Sequence, residues 1–286
     1  MHFNKVILKK QQFILAGGGL LLLLLLFFLG NTVPPVNSSI TEESAQKNPS
    51  SGAIDVLTAA KSNLKPMQSE KITQLENAVV RGNVKDQQIL VYNQLAHYWQ
   101  DTLQRPDIAT YYLGEAAKLE NSEKSLNFAA RLMLNQVMAG TEQNEITWLA
   151  TNAKALYEQS LKVNPNSDSI KIELGALYLF GNISAMPMEG ILKIKEVADR
   201  DSTNMYAQLM LGLGDIRSQQ YDKGIERLEK VVQHEPNNLQ ALFNLAETYE
   251  RKGDKTNAIK WYRQVEHYID LPDAKKEIEE RINSLK

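Results

Sequence analysis

The chain has 286 residues, 43% of them hydrophobic and 23% charged, which is the composition of a folded protein with room for one or two domains. Its 32 basic and 34 acidic side chains leave a formal charge of −2, so there is no basic field to hold phosphates, and nucleic acid is excluded as the main partner. There is no cysteine, which excludes a disulfide scaffold, a thiolate zinc site, a cysteine nucleophile and a lipid attached through sulfur.

Residues 1–12 form a short basic segment carrying Lys5, Lys9 and Lys10 and no acidic residue. Phe13–Gly30 then gives 18 residues without a charge, and Leu20–Leu29 is apolar all round. At about 1.5 Å per helical residue such a run reaches roughly 27–31 Å, matching a hydrocarbon core of about 30 Å. The expectation is one transmembrane helix over 13–33. The lysines before it and the first later charge at Glu42 place the amino end in the cytoplasm by the positive-inside rule. A cleaved signal peptide would share this polarity. However, its apolar region is shorter, and Asn31-Thr32-Val33-Pro34-Pro35 offers no small-residue cleavage site. An uncleaved signal anchor is therefore predicted, making the protein a single-pass protein of the inner cell membrane with its carboxy-terminal domain in the periplasm.

Residues 34–52 are rich in Pro, Ser, Asn and Thr with no apolar period, which predicts a solvated, disordered tether. From residue 53 to 286, apolar residues recur at 3–4 spacing with no alternating strand pattern, so this part is predicted to be all-α. Ala53–Asn63 reads as a short helix, and Met67–Arg81 as a helix with Ile72, Leu75 and Val79 facing inward.

Farther on the helices repeat. Leu211 and Leu245, Gly224 and Ala258, Leu228 and Tyr262, Val231 and Val265, and Pro236 and Asp270 are each 34 residues apart. Gly190, Ile194, Val197 and Ser202 lie one step of 34 earlier. Leu174-Gly175 precedes Leu211-Gly212 by 37, which puts extra residues in the turn around Asn182–Glu189. This period, with Leu245-Ala246, Tyr249, Gly253, Ala258, Tyr262 and Val265 in their places, resembles the tetratricopeptide repeat (TPR) family, a helix-turn-helix of about 34 residues. Units are expected near 84–121, 122–165, 166–202, 203–236 and 237–270, with longer helices in the second. A capping helix over 273–285 would turn Ile278, Ile282 and Leu285 inward and its charged face to water. The predicted fold is thus a TPR-like helix-turn-helix solenoid preceded by one transmembrane helix.

No catalytic constellation stands out. His2, His97, His234 and His267 are scattered and form no H-E-x-x-H pattern, and His234 and His267 sit where a cation suits a helix carboxy terminus. Glu42-Glu43 and Glu279-Glu280 read as solvated pairs. The expectation is no enzyme, no cofactor, no metal and no small-molecule substrate.

The TPR resemblance implies binding of a protein segment on the face formed by the first helix of each unit. The Lys, Asn and Arg that clamp a carboxylate in some members are missing: the matching positions hold Ser169, Ile172 and Ala176, then Tyr206, Leu209 and Leu213, then Gln240, Phe243 and Glu247. The candidate partner-binding residues are Ile172, Tyr206, Leu209, Leu213 and Phe243, a stripe suited to an apolar or amphipathic segment. The competing reading packs the same residues between neighbouring helices. The expected role is a membrane-tethered scaffold for protein–protein interaction on the non-cytoplasmic side. The alternative is a chaperone-like holder of apolar segments, by resemblance to envelope TPR proteins that serve secretion or cytochrome c maturation.

Overall fold

The computed structural model describes residues 49–81, 84–140, 142–184 and 187–286. The basic segment 1–12, the membrane helix 13–33 and most of the tether expected over 34–52 lie outside the described residues. Among the described residues there are thirteen α-helices and no strand, and no helix is long and apolar enough to cross a membrane.

Helix α1 (Pro49–Ser62) begins inside the expected tether. Pro49 stands at its first position, where a fixed φ suits the helix and the missing N–H would have had no partner. Helix α2 (Pro66–Arg81) buries Ile72, Leu75 and Val79 along one face. Five antiparallel hairpins follow. They are α3 (Lys85–His97) with α4 (Pro106–Glu120), α5 (Glu123–Ala139) with α6 (Gln143–Val163), α7 (Asp168–Phe180) with α8 (Met188–Arg200), α9 (Met205–Arg217) with α10 (Tyr221–His234), and α11 (Leu239–Arg251) with α12 (Lys255–Tyr268). A single π-type turn, Tyr98–Thr102, extends α3 and drops Trp99 into the core. The last helix, α13 (Pro272–Leu285), closes the stack against α12 by burying Ile278, Ile282 and Leu285.

The local chemistry explains where these helices start and stop. Asn204 and Asn238, 34 residues apart, cap α9 and α11 in the same way. Each side-chain oxygen accepts from a backbone N–H three residues on, Ala207 and Ala241, both at 3.0 Å, which satisfies a donor that has no partner inside the helix. Ser122 and Asp254 do the same for α5 and α12. The longer α5 and α6, of 17 and 21 residues against 13 or 14 in the following hairpins, account for the stretched second unit.

From the second hairpin on, each first helix touches the next first helix (α5 with α7, α7 with α9, α9 with α11), whereas between the first two hairpins the second helices α4 and α6 meet. One core runs from α1 to α11, and a second joins α11, α12 and α13. Each hairpin therefore buries its apolar faces by stacking on its neighbours. Helix α1 breaks the sequential order: it packs on α6 through the surface carrying Ala60, while its Lys61 reaches Glu76 of α2 at 2.6 Å.

Candidate partner groove

The first helices line an open groove of about 570 Å³. Helix α5 supplies Arg131, Leu134, Asn135, Met138 and Ala139, α7 supplies Ser169 and Glu173, α9 supplies Tyr206 and Met210, and α11 supplies Gln240. No second helix contributes to it. On α5 the spacing Arg131, Asn135, Met138 keeps the lining residues on one face, and Tyr206 and Met210 lie one turn apart on α9.

An ion pair sits in the wall. Arg131 donates from Nε to Glu173 Oε1 at 2.8 Å, and its Nη2 lies 2.5 Å from the same oxygen. Arg131 is half exposed, whereas Glu173 is 1% exposed, so the carboxylate sits in the wall with the guanidinium laid over it. The second oxygen, Oε2, is buried without a hydrogen-bond partner. Burial pushes the Glu173 carboxyl above its ordinary value, against the opposing pull of Arg131. The Tyr157 hydroxyl of α6 faces this carboxylate without completing a hydrogen bond of ordinary geometry. Burial, with the Glu173 charge adding, raises Tyr157 and Tyr206 well above the ordinary phenol range, so both remain neutral donors.

Of the other polar lining groups, the Ser169 hydroxyl lies 3.3 Å from that of Ser167. Among the described residues, the carboxamides of Asn135 and Gln240 are exposed and pair with no protein group. A carboxamide offers a donor and an acceptor side by side, which is the complement of a backbone peptide group. Met138, Ala139 and the ring of Tyr206 give the groove its accessible apolar component, and Met138 can adapt its shape; Leu134 and Met210 border it but are 1% and 2% exposed.

The residues expected to form the stripe are separated by burial. Ile172, Leu209 and Leu213 are 1%, 3% and 7% exposed; they face the core and offer a partner almost no surface. Tyr206 lines the groove. Phe243 is 37% exposed, lies outside the lining and packs edge-on to Tyr262 with ring centroids 6.0 Å apart. On α7 and α9 the wall is one residue further along, at Glu173 and Met210 in place of Ile172 and Leu209. Shifting the face by one residue rotates it by about 100°, so Ile172 and Leu209 turn away from the groove that Glu173 and Met210 border, although all four are almost fully buried. Arg131, Asn135 and Glu173 had no local signal, because the Arg131–Glu173 contact spans 42 residues of sequence. Ser169 and Gln240 had been noted only as lacking the charges of a carboxylate clamp.

Among the described residues, no group of three or more His, Cys, Asp or Glu could hold a metal ion. His97 and His234 lie near helix ends with Nδ1 at 2.7 and 2.9 Å from the carbonyl oxygens of Asn93 and Lys230. His267 stacks edge-on against Tyr268.

The Tetratricopeptide repeat family model matches residues 209–272, which covers part of α9, all of α10 to α12 and the start of α13. No curated protein matches the chain in sequence. Among solved structures, the chain is similar to MamA 41-end from Desulfovibrio magneticus RS-1, with 22% identity over 63% of this chain and 94% of that one and a TM-score of 0.40. PilW, described as a widely conserved type IV pilus biogenesis factor, matches with 17% identity over 68% and 92% and a TM-score of 0.45. YrrB, described as a TPR protein with an unusual peptide-binding site, matches with 14% identity over 72% and 97% and a TM-score of 0.39.

Proposed function

We propose, for a chain carrying tetratricopeptide repeats at residues 209–272, that it is a membrane-tethered scaffold that recruits a protein partner through the groove of its first helices. The observation that carries this reading is the groove itself. It is lined by four successive first helices and presents two free carboxamides, at Asn135 and Gln240, beside the accessible apolar surface of Met138 and Tyr206. Such a surface suits an extended or amphipathic polypeptide segment, whose backbone pairs with the carboxamides while an apolar side chain rests against Met138 and Tyr206. The buried Ile172, Leu209 and Leu213 support this wall from behind. No reacting group is needed for this role, so we assign no catalysis.

Membrane tethering and the side of the membrane rest on the sequence, namely the apolar run Phe13–Gly30 and the lysines before it. The anchor holds the solenoid outside the cytoplasm, in the periplasm of a bacterial envelope. Fusing a reporter active only outside the cytoplasm after Lys286 tests this orientation, and a silent reporter on a well-expressed fusion overturns it. The groove is tested by photo-crosslinking from Asn135 and Gln240 in cells: a defined partner captured from both positions and from no site on α10 supports it, whereas capture only from the outer layer refutes it.

The second reading is a holder of varied apolar segments, favoured by the accessible, adaptable Met138 in the lining. Under that reading the crosslinks would carry many unrelated partners sharing an apolar stretch, whereas a scaffold would give one or a few.

A further inference from the structure

Resting on the reading of the groove as the partner site, we infer that the Arg131–Glu173 pair selects a segment that is uncharged where it crosses the wall. Among the ten lining residues the only charged two are Arg131 and Glu173, and they neutralise each other through a single oxygen, Glu173 Oε1. A ligand carboxylate reaching the free Nη1 of Arg131 would have to compete with a buried carboxylate already holding that guanidinium. A ligand ammonium reaching toward Glu173 would meet Arg131 lying over it, with Oε2 closed off from solvent. Either charge is therefore opposed at the point where it would be recognised, and taking it out of water has no compensating partner.

A neutral segment meets no such penalty. Arg131 is held in place by Glu173, which leaves Nη1 as a fixed donor for a backbone carbonyl. The free Asn135 and Gln240 carboxamides pair with further peptide groups, and Tyr206 with Met138, the half-buried apolar residues of the lining, receives an apolar side chain. The ligand class is thus an uncharged polypeptide stretch with an apolar anchor. Carboxylate tails and lysine-rich segments are excluded by charge compensation within the wall, independently of the shape of the groove.

The test is selection from a random short-peptide display library on the purified full chain and on two variants, Glu173→Gln and the double Arg131→Gln/Glu173→Gln. Glu173→Gln keeps side-chain size, Arg131→Gln shortens a half-exposed one, neither variant leaves an unpaired buried charge, and circular dichroism checks that both fold. The wild type should retain peptides without charge at their anchoring positions. Glu173→Gln leaves Arg131 uncompensated and should favour acidic anchors by about tenfold over neutral ones; the double variant should return to neutral ones. Charged anchors retained by the wild type, or an unmoved preference in Glu173→Gln, overturn the charge selection. If retention is still lost with Asn135→Ala plus Gln240→Ala, the groove itself stands. Retention of no peptide by the folded wild type overturns both the selection and the groove.

Discussion

Gly190 of α8 lies so close to Gly175 of α7 that a Cβ added to it would stand 2.3 Å from the Gly175 carbonyl oxygen and 2.9 Å from Tyr178 Cβ. The same crossing recurs in the next hairpin between Gly224 and Gly212, where the added Cβ would meet Ile216 Cγ1 at 2.6 Å and the Gly212 oxygen at 3.1 Å. In the next hairpin Ala246 and Ala258, both fully buried, occupy these positions. The obstruction at Gly190 is backbone and Cβ, which cannot give way, whereas at Gly224 the nearest atom belongs to a side chain. Gly190→Ala should therefore cost more than Gly224→Ala, the latter falling within the roughly 1–3 kcal/mol typical of overpacking. Urea unfolding of the two variants side by side measures the order, and an equal or reversed loss would refute this account of the crossing.

The turn from α9 to α10 holds Gln219 in the left-handed region at φ 62°, and Gly253 fills the equivalent place, 34 residues on, at φ 78°. The surrounding hydrogen bonds match pair by pair: Gln219 N–H to the Ile216 carbonyl at 3.0 Å and Gln220 N–H to that of Asp215 at 2.8 Å, against Gly253 to Glu250 at 2.8 Å and Asp254 to Tyr249 at 2.9 Å. A side chain in this region costs roughly 1–2 kcal/mol, and glycine gives back about 0.5–1 through its freer unfolded chain. Gln219→Gly should thus stabilise the fold by about 0.5–1 kcal/mol, and Gly253→Ala should destabilise it by a similar amount. Thermal melts of the two single variants, shifted in opposite directions, are the expected result.

The Glu173 carboxyl, raised by burial in the native state, fixes the sign of a pH effect. A group that binds its proton more tightly when folded stabilises the fold fully below its ordinary pKa. That contribution disappears as pH rises through the raised value. The carboxyls of Asp201 and Asp254, lowered chiefly by hydrogen bonds from Thr203 and Asn257, act with the opposite sign but are common to wild type and variant. The stability of the wild type relative to Glu173→Gln should therefore increase on acidification from neutral pH toward the ordinary carboxylate range. Denaturant titrations of both proteins across that range check it; a difference that shrinks on acidification would mean that Arg131 outweighs burial.

The repeat was legible because its signals are local. The small residues at helix crossings, Gly190, Gly224 and Ala258, recur every 34 residues, and each is forced by a steric requirement that a sequence displays. The groove was less so. Its first-helix positions Ser169, Tyr206 and Gln240 could be found by superposing units. Whether a helix presents Ile172 or Glu173, however, depends on how it is rotated against its neighbours. In α7 and α9, buried nearly all round, hydrophobic periodicity does not mark that rotation. A carboxylate buried beneath an arginine 42 residues away leaves no trace in either segment alone.

This difference in rotation makes two sets of substitutions separable. Leu209 and Leu213 are core residues at 3% and 7% exposure, so Leu209→Glu with Leu213→Glu places two carboxylates where no partner awaits them, and a buried unpaired charge is among the most destabilising of single-site changes. Helicity should fall and any loss of partner capture should follow from unfolding. Asn135→Ala with Gln240→Ala removes two exposed carboxamides that support nothing inside the protein, so helicity and melting temperature should stay within the small change usual for surface sites while capture is lost. Circular dichroism and pull-down on the same preparations decide between these outcomes. A helical, partner-blind Leu209→Glu/Leu213→Glu protein would show that those leucines, and not the carboxamide face, meet the partner.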